Sequence, residues 1–488
     1  MAGRAGRRGG WRAAAIATLM ALLPAPASAV WPFDGTGLPD LEKDPGGAAS
    51  QILSRAIRFK TVNPPGDERP LAEFLVDLLK KEGLEAEVID TPSNGSTAGR
   101  AAVWARIKGN GKRRPVILHS HLDVVPASPS EWVVPPFEGL VGGGYVVGRG
   151  ALDAKGITVV QLLALLQISR RDAKLERDVI LLATPDEETG GQQGAGYIAS
   201  EHRPLLQDAE FLLTEGGGIL ESEPPMPTVW GVAVTEKRPC WLRVLARGTP
   251  GHSSSEPRDA AVPRLISALE KIRNFESDYR VVPEVARMFA SLAPYARDED
   301  RKQLSDLAFW LDFDATFRGR FLADRGQNAL VRNTVAITVL EGGTQTNVMP
   351  LEASAHLDAR LLPGESCSEF RSEIVDVIDD PRIEVETLLA FDTGSTSPVD
   401  TELFRAIQRV ASRVDPGAVV VPRAIAGFTD AHYFRALGIT SYGFLPRWLP
   451  PRESLGIHGP NERVSVRNLE RGVPALVAIL EELGAPGH

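Results

Sequence analysis

Short apolar runs with the composition of buried strands alternate with helical patterns along most of this chain. The runs Val116–His121 and Val179–Thr184 are separated by a strong helical pattern at Lys155–Arg170. Further candidate strands are Glu87–Ile89, Ala101–Ile107 and Phe211–Thr214. This alternation predicts an α/β fold in which helices bury a mostly parallel sheet.

The pattern changes near Cys240. From there the order is strand, helix, strand, strand, helix, strand, which is typical of a ferredoxin-like α+β unit. These elements are predicted at Trp241–Ala246, Ala260–Phe275, Val335–Leu340, Pro350–Leu361, Ser368–Ile378 and Ile383–Leu388. The α/β pattern then resumes with helices at Glu402–Val414 and Val466–Leu483. A second domain, residues 240–397, is therefore predicted to be inserted into a first domain, residues 30–239 and 398–488.

The inserted domain contains a polar, aromatic and helical-looking segment at residues 276–327. Its large apolar side chains include Phe289, Leu307, Phe309, Trp310 and Phe313. They could form an apolar wall beside a binding site, or they could pack within their own domain.

Residues 1–29 have the pattern of a cleaved signal peptide. Arginines at positions 4, 7, 8 and 12 precede the apolar stretch Ala13–Leu23, and Ala27–Ala29 forms a cleavage signature. The stretch is too short to span a bilayer as a stable helix, and an uncleaved anchor is the alternative. We therefore expect an exported protein, periplasmic or secreted.

The net charge bears on nucleic-acid binding, and the cysteine content bears on metal binding and disulfide formation. The net charge is −9 and no long basic run follows the N-terminus, which argues against nucleic acid. The two cysteines, Cys240 and Cys367, cannot form a metal cluster by themselves. A single bond between them is one interpretation, and two unpaired buried thiols are the favoured one.

Histidine and acidic residues follow predicted strands, or open a helix, at five places along the chain. They are His121 and Asp123, Asp153, Glu187 and Glu188, Glu215, and His458. Because ligands bind beyond the carboxyl ends of the strands in an open α/β sheet, we expect these side chains to meet at one edge.

Imidazole and carboxylate groups suit zinc and similar divalent metals. Two such ions held about 3.5–4 Å apart can polarise a carbonyl and make hydroxide from water near neutral pH. Each residue has a plainer explanation alone, since Asp153 could cap its helix and Glu187 with Glu188 could be a solvated helix start. Their joint occurrence predicts a two-metal site.

The five segments that carry these residues resemble the signature of the zinc metallopeptidases of family M20. That family includes acetylornithine deacetylase, succinyl-diaminopimelate desuccinylase, aminoacylase and carboxypeptidase G. The stretches His121–Pro126, Pro135–Gly139 and Gly148–Gly150 most resemble the branch of the Gly-X carboxypeptidases, which also contains the secreted N-fatty-acyl-amino-acid hydrolases. The resemblance runs from about Ile52 to Leu480 and implies a catalytic first domain and an inserted lid or dimerisation domain.

The resemblance implies a role for each candidate metal ligand. His121 and Glu215 would hold one ion. Glu188 and His458 would hold the other, and Asp153 would bridge both. The ions would be zinc, with cobalt or manganese as alternatives. In this family the bridging residue precedes a cis peptide, here Asp153–Ala154, although many relatives carry an acid at the second position.

Three further acids have implied or open roles. Glu187 would be the general base, taking a proton from the bridging water and passing it to the leaving amine. Asp123 would orient His121 through its other ring nitrogen. Glu462 would either support His458 or be a solvated acid.

The resemblance also picks out residues outside the metal centre. His252 resembles a histidine that reaches into the partner subunit's site and stabilises the oxyanion, which implies a catalytic role and a possible homodimer through the lid; a simple turn histidine is the alternative. Asn347 and Asp430 resemble substrate-contacting residues. Arg360 resembles the family's carboxylate-binding arginine, and its alternative is an ion pair with Asp358 or Glu352.

These roles imply hydrolysis of an amide bond adjacent to a free carboxylate, in a small peptide or an N-acyl amino acid. The protein would be a metallocarboxypeptidase or an aminoacylase-type amidohydrolase. A non-catalytic peptide-binding module is one alternative, against which the complete ligand set argues. A hydrolase using Ser253 or Ser254 is another, but neither serine lies in a nucleophile-elbow sequence.

Overall fold

The computed structural model describes residues 41–93, 95–171, 174–221, 227–391, 396–454 and 456–485, so the predicted signal peptide lies outside the described residues. The α-helices are α1 (Pro45–Arg58), α2 (Arg69–Lys81), α3 (Lys155–Arg170), α4 (Ala195–Glu201), α5 (Ala261–Asn274), α6 (Pro283–Leu292), α7 (Asp298–Ser305), α8 (Leu307–Phe313), α9 (Ala315–Ala323), α10 (Arg325–Val331), α11 (Cys367–Ile378), α12 (Glu402–Val414), α13 (Ala431–Ala436), α14 (Pro451–Ser454) and α15 (Val466–Gly484). In these ranges no helix is both long enough and apolar enough to span a membrane.

The strands follow in the same order along the chain. They are β1 (Glu85–Thr91), β2 (Arg100–Ile107), β3 (Val116–His121), β4 (Leu140–Gly142), β5 (Tyr145–Val147), β6 (Val179–Thr184), β7 (Phe211–Thr214), β8 (Gly218–Leu220), β9 (Val229–Glu236), β10 (Arg238–Arg247), β11 (Gly251–His252), β12 (Thr334–Glu341), β13 (Val348–Met349), β14 (Glu352–Leu361), β15 (Ile383–Ala390), β16 (Val419–Ile425), β17 (Thr440–Gly443) and β18 (Arg463–Ser465).

The larger sheet has nine strands in the order β1-β2-β6-β3-β7-β17-β9-β16, with β8 paired to β9. Strands β6, β3, β7 and β17 run parallel, and β9 runs parallel to β16. Strands β1, β2 and β6 pair antiparallel, as do β17 and β9. The predicted α/β fold class, with a large and mostly parallel sheet at its centre, is confirmed.

Helices cover both faces of this sheet. Side chains alternate along a strand, so Val116 and Leu118 join one apolar cluster with α1, α3 and α15 while Ile117 joins the cluster on the other face. Helix α3 is buried along nearly its whole length, which explains why it is apolar on all sides. It begins directly after Ala154, so burial of the helix holds the preceding loop at the edge of the sheet.

A separate four-stranded antiparallel sheet has the order β12-β14-β10-β15. Helices α5 and α11 pack on one face, where Leu242 lies opposite Leu357 and both join Ile374 in a common core. Burial alternates along β14, so Asp358 and Arg360 point away from that core. In chain order these elements run strand, helix, strand, strand, helix, strand.

Cys240 and Cys367 form a disulfide, so the favoured expectation of two unpaired thiols was wrong. Cys240 lies on β10, and Cys367 is the first residue of α11, which packs on the same sheet. Their Cα atoms are 5.4 Å apart although 127 residues separate them in sequence. Only the packing of α11 on this sheet brings the two sulfur atoms together.

Helices α6 to α10 form the segment between α5 and β12. Phe289 and Phe321 pack with Val421 of β16, so this segment covers the edge of the larger sheet. Phe309 and Phe313, which stack on each other, stay 50% and 71% exposed. The segment therefore packs partly on itself and partly on the larger sheet.

Candidate metal centre and cleft

Three neighbouring parallel strands place acidic and histidine side chains at one edge of the larger sheet. His121 is the last residue of β3, while Glu188 follows β6 and Glu215 follows β7, the two neighbours of β3. Asp153 precedes α3, and His458 lies in the loop before β18. The predicted convergence at the carboxyl ends of the strands is what the structure shows.

Asp153 lies at the centre of this cluster. Its Oδ1 is 2.9 Å from Nε2 of His121, and its Oδ2 is 3.2 Å from Nε2 of His458. Glu215 Oε1 lies 3.6 Å from the same nitrogen of His121. Glu188 Oε2 lies 3.2 Å from Nε2 of His458. Each oxygen of one carboxylate thus faces a different histidine.

The donor atoms fit a divalent cation. Ligand atoms of His121, Glu187 and Glu215 lie within 4.8 Å of one another, and so do those of His121, Asp153 and Glu188. Glu188 Oε1 is buried and has no hydrogen-bond partner among the described residues. Imidazole nitrogen and carboxylate oxygen are ligands that zinc and similar metals accept.

The electrostatics of the cluster reflect its density of acids. Burial and the nearby charge of Glu215 raise the pKa of Glu187 well above its usual range. Burial is also the main cause that raises the pKa of Glu188 to about 7. Hydrogen bonds to Asp153 and Glu188 raise the pKa of His458 to about 10. Protons and a cation would compete for the same lone pairs here.

Asp123 positions other side chains of the cluster through its contacts with His121, Glu187 and Glu188. It is fully buried, and its Oδ1 lies 3.4 Å from Nδ1 of His121, whose nearer contact is the Asp123 carbonyl at 3.0 Å. Its carboxylate also accepts the backbone N–H groups of Glu187 and Glu188 at 3.2 and 3.1 Å. One side chain therefore positions both a histidine and the paired glutamates.

Glu462 holds the loop that carries Asp153. It is fully buried and accepts the backbone N–H groups of Gly150, Leu152 and Asp153 at 2.7–3.0 Å, together with the Arg149 guanidinium at 2.8 Å. The alternative of a solvated acid is thereby wrong. The Asp153–Ala154 peptide is cis, as the resemblance implied.

A buried ion-pair network, which no sequence motif indicated, lies behind the paired glutamates. Arg100 makes two hydrogen bonds of 3.0 Å to Glu68 and one of 2.9 Å to Asp186. Asp186 directly precedes Glu187 and has a positive φ of 81°. The network therefore fixes the turn from which the glutamates project. Its members are distant in sequence and follow no common spacing.

A cleft of about 920 Å³ opens over the cluster. The four-stranded sheet contributes Trp241, Asp358 and Arg360 to its walls, and the larger sheet contributes Arg423. Arg360 Nε lies 2.7 Å from Asp358 Oδ1, which is the ion pair expected as the alternative to a carboxylate contact. None of the helical residues 283–331 lines the cleft among the residues described.

The predicted catalytic residue His252 and the predicted substrate residues Asn347 and Asp430 do not line the cleft. Asp430 is only 1% exposed and accepts a hydrogen bond from Thr184 at 3.2 Å. His252 and Asn347 are exposed and adjacent, since the N–H of Ser253 donates to the Asn347 carbonyl at 3.2 Å. The structure brings these two together, but neither borders the cleft over the candidate metal ligands of its own chain.

The sequence of this chain is similar to those of proteins already known. The sequence model of peptidase family M20/M25/M40 matches residues 117–482. An N-fatty-acyl-amino acid synthase/hydrolase of Xenopus tropicalis is 31% identical over 75% of this chain and 72% of its own length. A probable carboxypeptidase S-like protein of Dictyostelium discoideum is 28% identical over 73% of this chain and 69% of its own length.

The fold is similar to that of a solved M20 family metallo-carboxypeptidase from Sulfolobus solfataricus. The TM-score is 0.68 at 20% sequence identity, covering 90% of this chain and 99% of that one. At this level of identity the likeness is one of fold.

Proposed function

Because the chain belongs to peptidase family M20/M25/M40, as its motifs predicted, we propose that it is a two-metal hydrolase of an amide bond adjacent to a free carboxylate. The observation that carries this proposal is the placement of Asp153, whose two oxygens each face a different histidine. The enzyme class, a metallopeptidase or amidohydrolase acting on C–N amide bonds, is that of its relatives.

The residues present would hold two ions. His121 and Glu215 would hold one, Glu188 and His458 the other, and Asp153 both. When bound, two divalent ions, zinc or alternatively cobalt or manganese, polarise a carbonyl and lower the pKa of water. Asp123 and Glu462 keep the ligands oriented through the contacts described above.

Glu187 is the group we assign to proton transfer. It is buried beside His121 and Glu215, and burial raises its pKa well above the usual range of a carboxyl group, which makes it a stronger proton acceptor than an exposed glutamate. In the proposed reaction its carboxylate takes a proton from the attacking water and delivers it to the nitrogen of the leaving amine. The carbonyl carbon gains an oxygen and loses that nitrogen, so the products are an acid and an amine.

The cleft fits an amphiphilic substrate. Apolar side chains and arginines both line it: Ile219, Leu220, Ile425, Leu449 and Ile457, and Arg360, Arg423 and Arg447. This mixture supports an N-acyl amino acid or a small peptide as the substrate. The relatives described above carry the same two substrate classes in their names.

We propose that the protein acts as a homodimer through the four-stranded sheet. Strand β12 is an edge of that sheet, and Leu340 on it is 66% exposed. His252 and Asn347 are exposed and do not line their own cleft, which supports a role in the partner's site.

We also propose that the protein is exported, to the periplasm or out of the cell. The N-terminal pattern supports it, and the Cys240–Cys367 disulfide is typical of proteins that fold in oxidising compartments.

The proposal is tested by hydrolysis and metal analysis of the purified protein. Dipeptides and N-acyl amino acids are screened with added zinc, cobalt or manganese, and we expect turnover together with about two metal equivalents per chain. His121→Ala and His458→Ala should each lose part of the metal. Full activity after exhaustive chelation would overturn the metal assignment, and binding without turnover would favour a non-catalytic peptide-binding module.

A further inference from the structure

Three arginines line the cleft, and they differ in their partners. Arg360 pairs with Asp358 through two contacts of 2.7 and 2.8 Å, and its guanidinium lies 4.6 Å from the ring of Phe428. Arg447 donates to the Leu152 carbonyl at 2.6 Å. Arg423 has neither a hydrogen bond nor an ion pair to any of the residues described.

Arg423 lines the cleft from strand β16 of the larger sheet. It lies on β16, opposite Ala233 of β9. A Cβ atom added to Gly231 would come within 3.3 Å of Arg423 Cδ and 3.6 Å of the Gly218 carbonyl. The stem of the side chain therefore lies over Gly231, beside the glycines that follow the metal-ligand candidate Glu215.

Arg423 is partly withdrawn from solvent and has no anion beside it among the described residues. Burial lowers the pKa of Arg423, and no opposite charge among the described residues offsets the loss of solvent. A guanidinium offers a planar pair of donors that matches a carboxylate in a bidentate contact. Arg360 already makes such a contact with Asp358, whereas the donors of Arg423 are available to a ligand.

We propose that Arg423 binds a carboxylate of the substrate. This inference rests on the proposed function, and it names the residue that would make an acidic substrate preferred. The carboxylate comes either from the free α-carboxyl group of the amino-acid part or from an acidic side chain. Arg360, held by Asp358, then serves as a wall of the cleft.

Equilibrium binding tests the proposal in a Glu187→Gln background, in which the substrate stays intact. The probes are N-acetyl-L-leucine, its amide, and N-acetyl-L-isoglutamine, whose carboxylate is in the side chain. Arg423→Met should weaken binding of a carboxylate-bearing probe by roughly 10- to 100-fold and leave binding of the amide unchanged. The affinity of Arg423→Lys for these probes should lie between those of the chain with Arg423 and of Arg423→Met, because lysine keeps the charge but lacks the planar pair of donors.

The two carboxylate probes distinguish the sources. A loss confined to N-acetyl-L-leucine assigns the α-carboxylate, and a loss confined to N-acetyl-L-isoglutamine assigns a side-chain carboxylate. Equal losses on all probes, or a carboxylate-specific loss in Arg360→Met but not in Arg423→Met, would overturn the proposal. Absence of turnover in the wild-type screen would instead count against the proposed function, because this assay measures binding alone.

Thermal unfolding supplies a second readout with a matched variant. Arg423→Met should leave the melting temperature unchanged or raise it, because it removes a charge without a partner. Arg360→Met should lower it, because Asp358 is left without its ion pair. A clear fall in the melting temperature of Arg423→Met, with no change in probe binding, would show that Arg423 has a structural role.

Discussion

At the scale of single residues, one carboxylate depends on another for its position. Asp153 carries an oxygen for each histidine, but its backbone is held by Glu462, which accepts three N–H groups of the loop before α3. Asp123 plays the same part for Glu187 and Glu188. The candidate ligands are therefore fixed by buried acids that do not themselves line the cleft.

Substitution of each of the paired glutamates, Glu187 and Glu188, should have a different effect on catalysis and on metal content. Glu187→Gln removes the group proposed to move the proton but leaves the proposed ligands, so kcat should fall by about 10²–10⁴-fold with unchanged metal content. Glu188→Gln should lose metal instead, because its carboxylate faces His458. Steady-state kinetics with elemental analysis distinguish the two variants. Metal loss in the first and retention in the second would reverse the assignment.

At the scale of elements, strand order determines the site. Strands β6, β3 and β7 are neighbours, so residues at their ends meet without any long loop. The disulfide has a comparable effect in the smaller sheet, where it ties β10 to α11. A bond across 127 residues restricts the unfolded chain strongly.

Removing that disulfide should destabilise the protein. The double variant Cys240→Ala, Cys367→Ala should lose up to about 4–5 kcal/mol of unfolding free energy, measured by urea denaturation. The wild type treated with a thiol reductant should shift in the same direction, which controls for the lost side chains. An unchanged urea midpoint in both would contradict the expectation.

At the scale of the whole molecule, two sheets share one cleft. The larger sheet supplies the candidate ligands, and the four-stranded sheet supplies Trp241, Asp358 and Arg360. His252 follows β10 of the smaller sheet, yet it is exposed and does not line that cleft. A second copy of the chain is the partner that would give it a site.

Mixing variants tests this arrangement. His252→Ala chains and Glu187→Gln chains should each be weakly active, but hybrid dimers would contain one site with both residues intact. Activity should therefore rise after subunit exchange. Proven exchange without recovery would mean that His252 acts within its own chain or has no catalytic part.

Local sequence was enough to find the elements that carry the chemistry. Strands β3, β6 and β7 and helix α3 have the predicted bounds, because runs of apolar residues dominate these buried elements. The ligand candidates follow from them, since parallel strands end at the same edge. Strand β16 was missed because Pro422 interrupts its pattern, which an edge strand tolerates.

Tertiary packing decided what depends on residues far apart in the chain. The Cys240–Cys367 bond and the contacts of Arg100 with Glu68 and Asp186 depend on how elements pack, not on local pattern. Packing also buries Asp430 and leaves Arg423 at the cleft without a partner among the described residues. Such contacts join side chains from separate elements, so no periodicity or motif in the sequence records them.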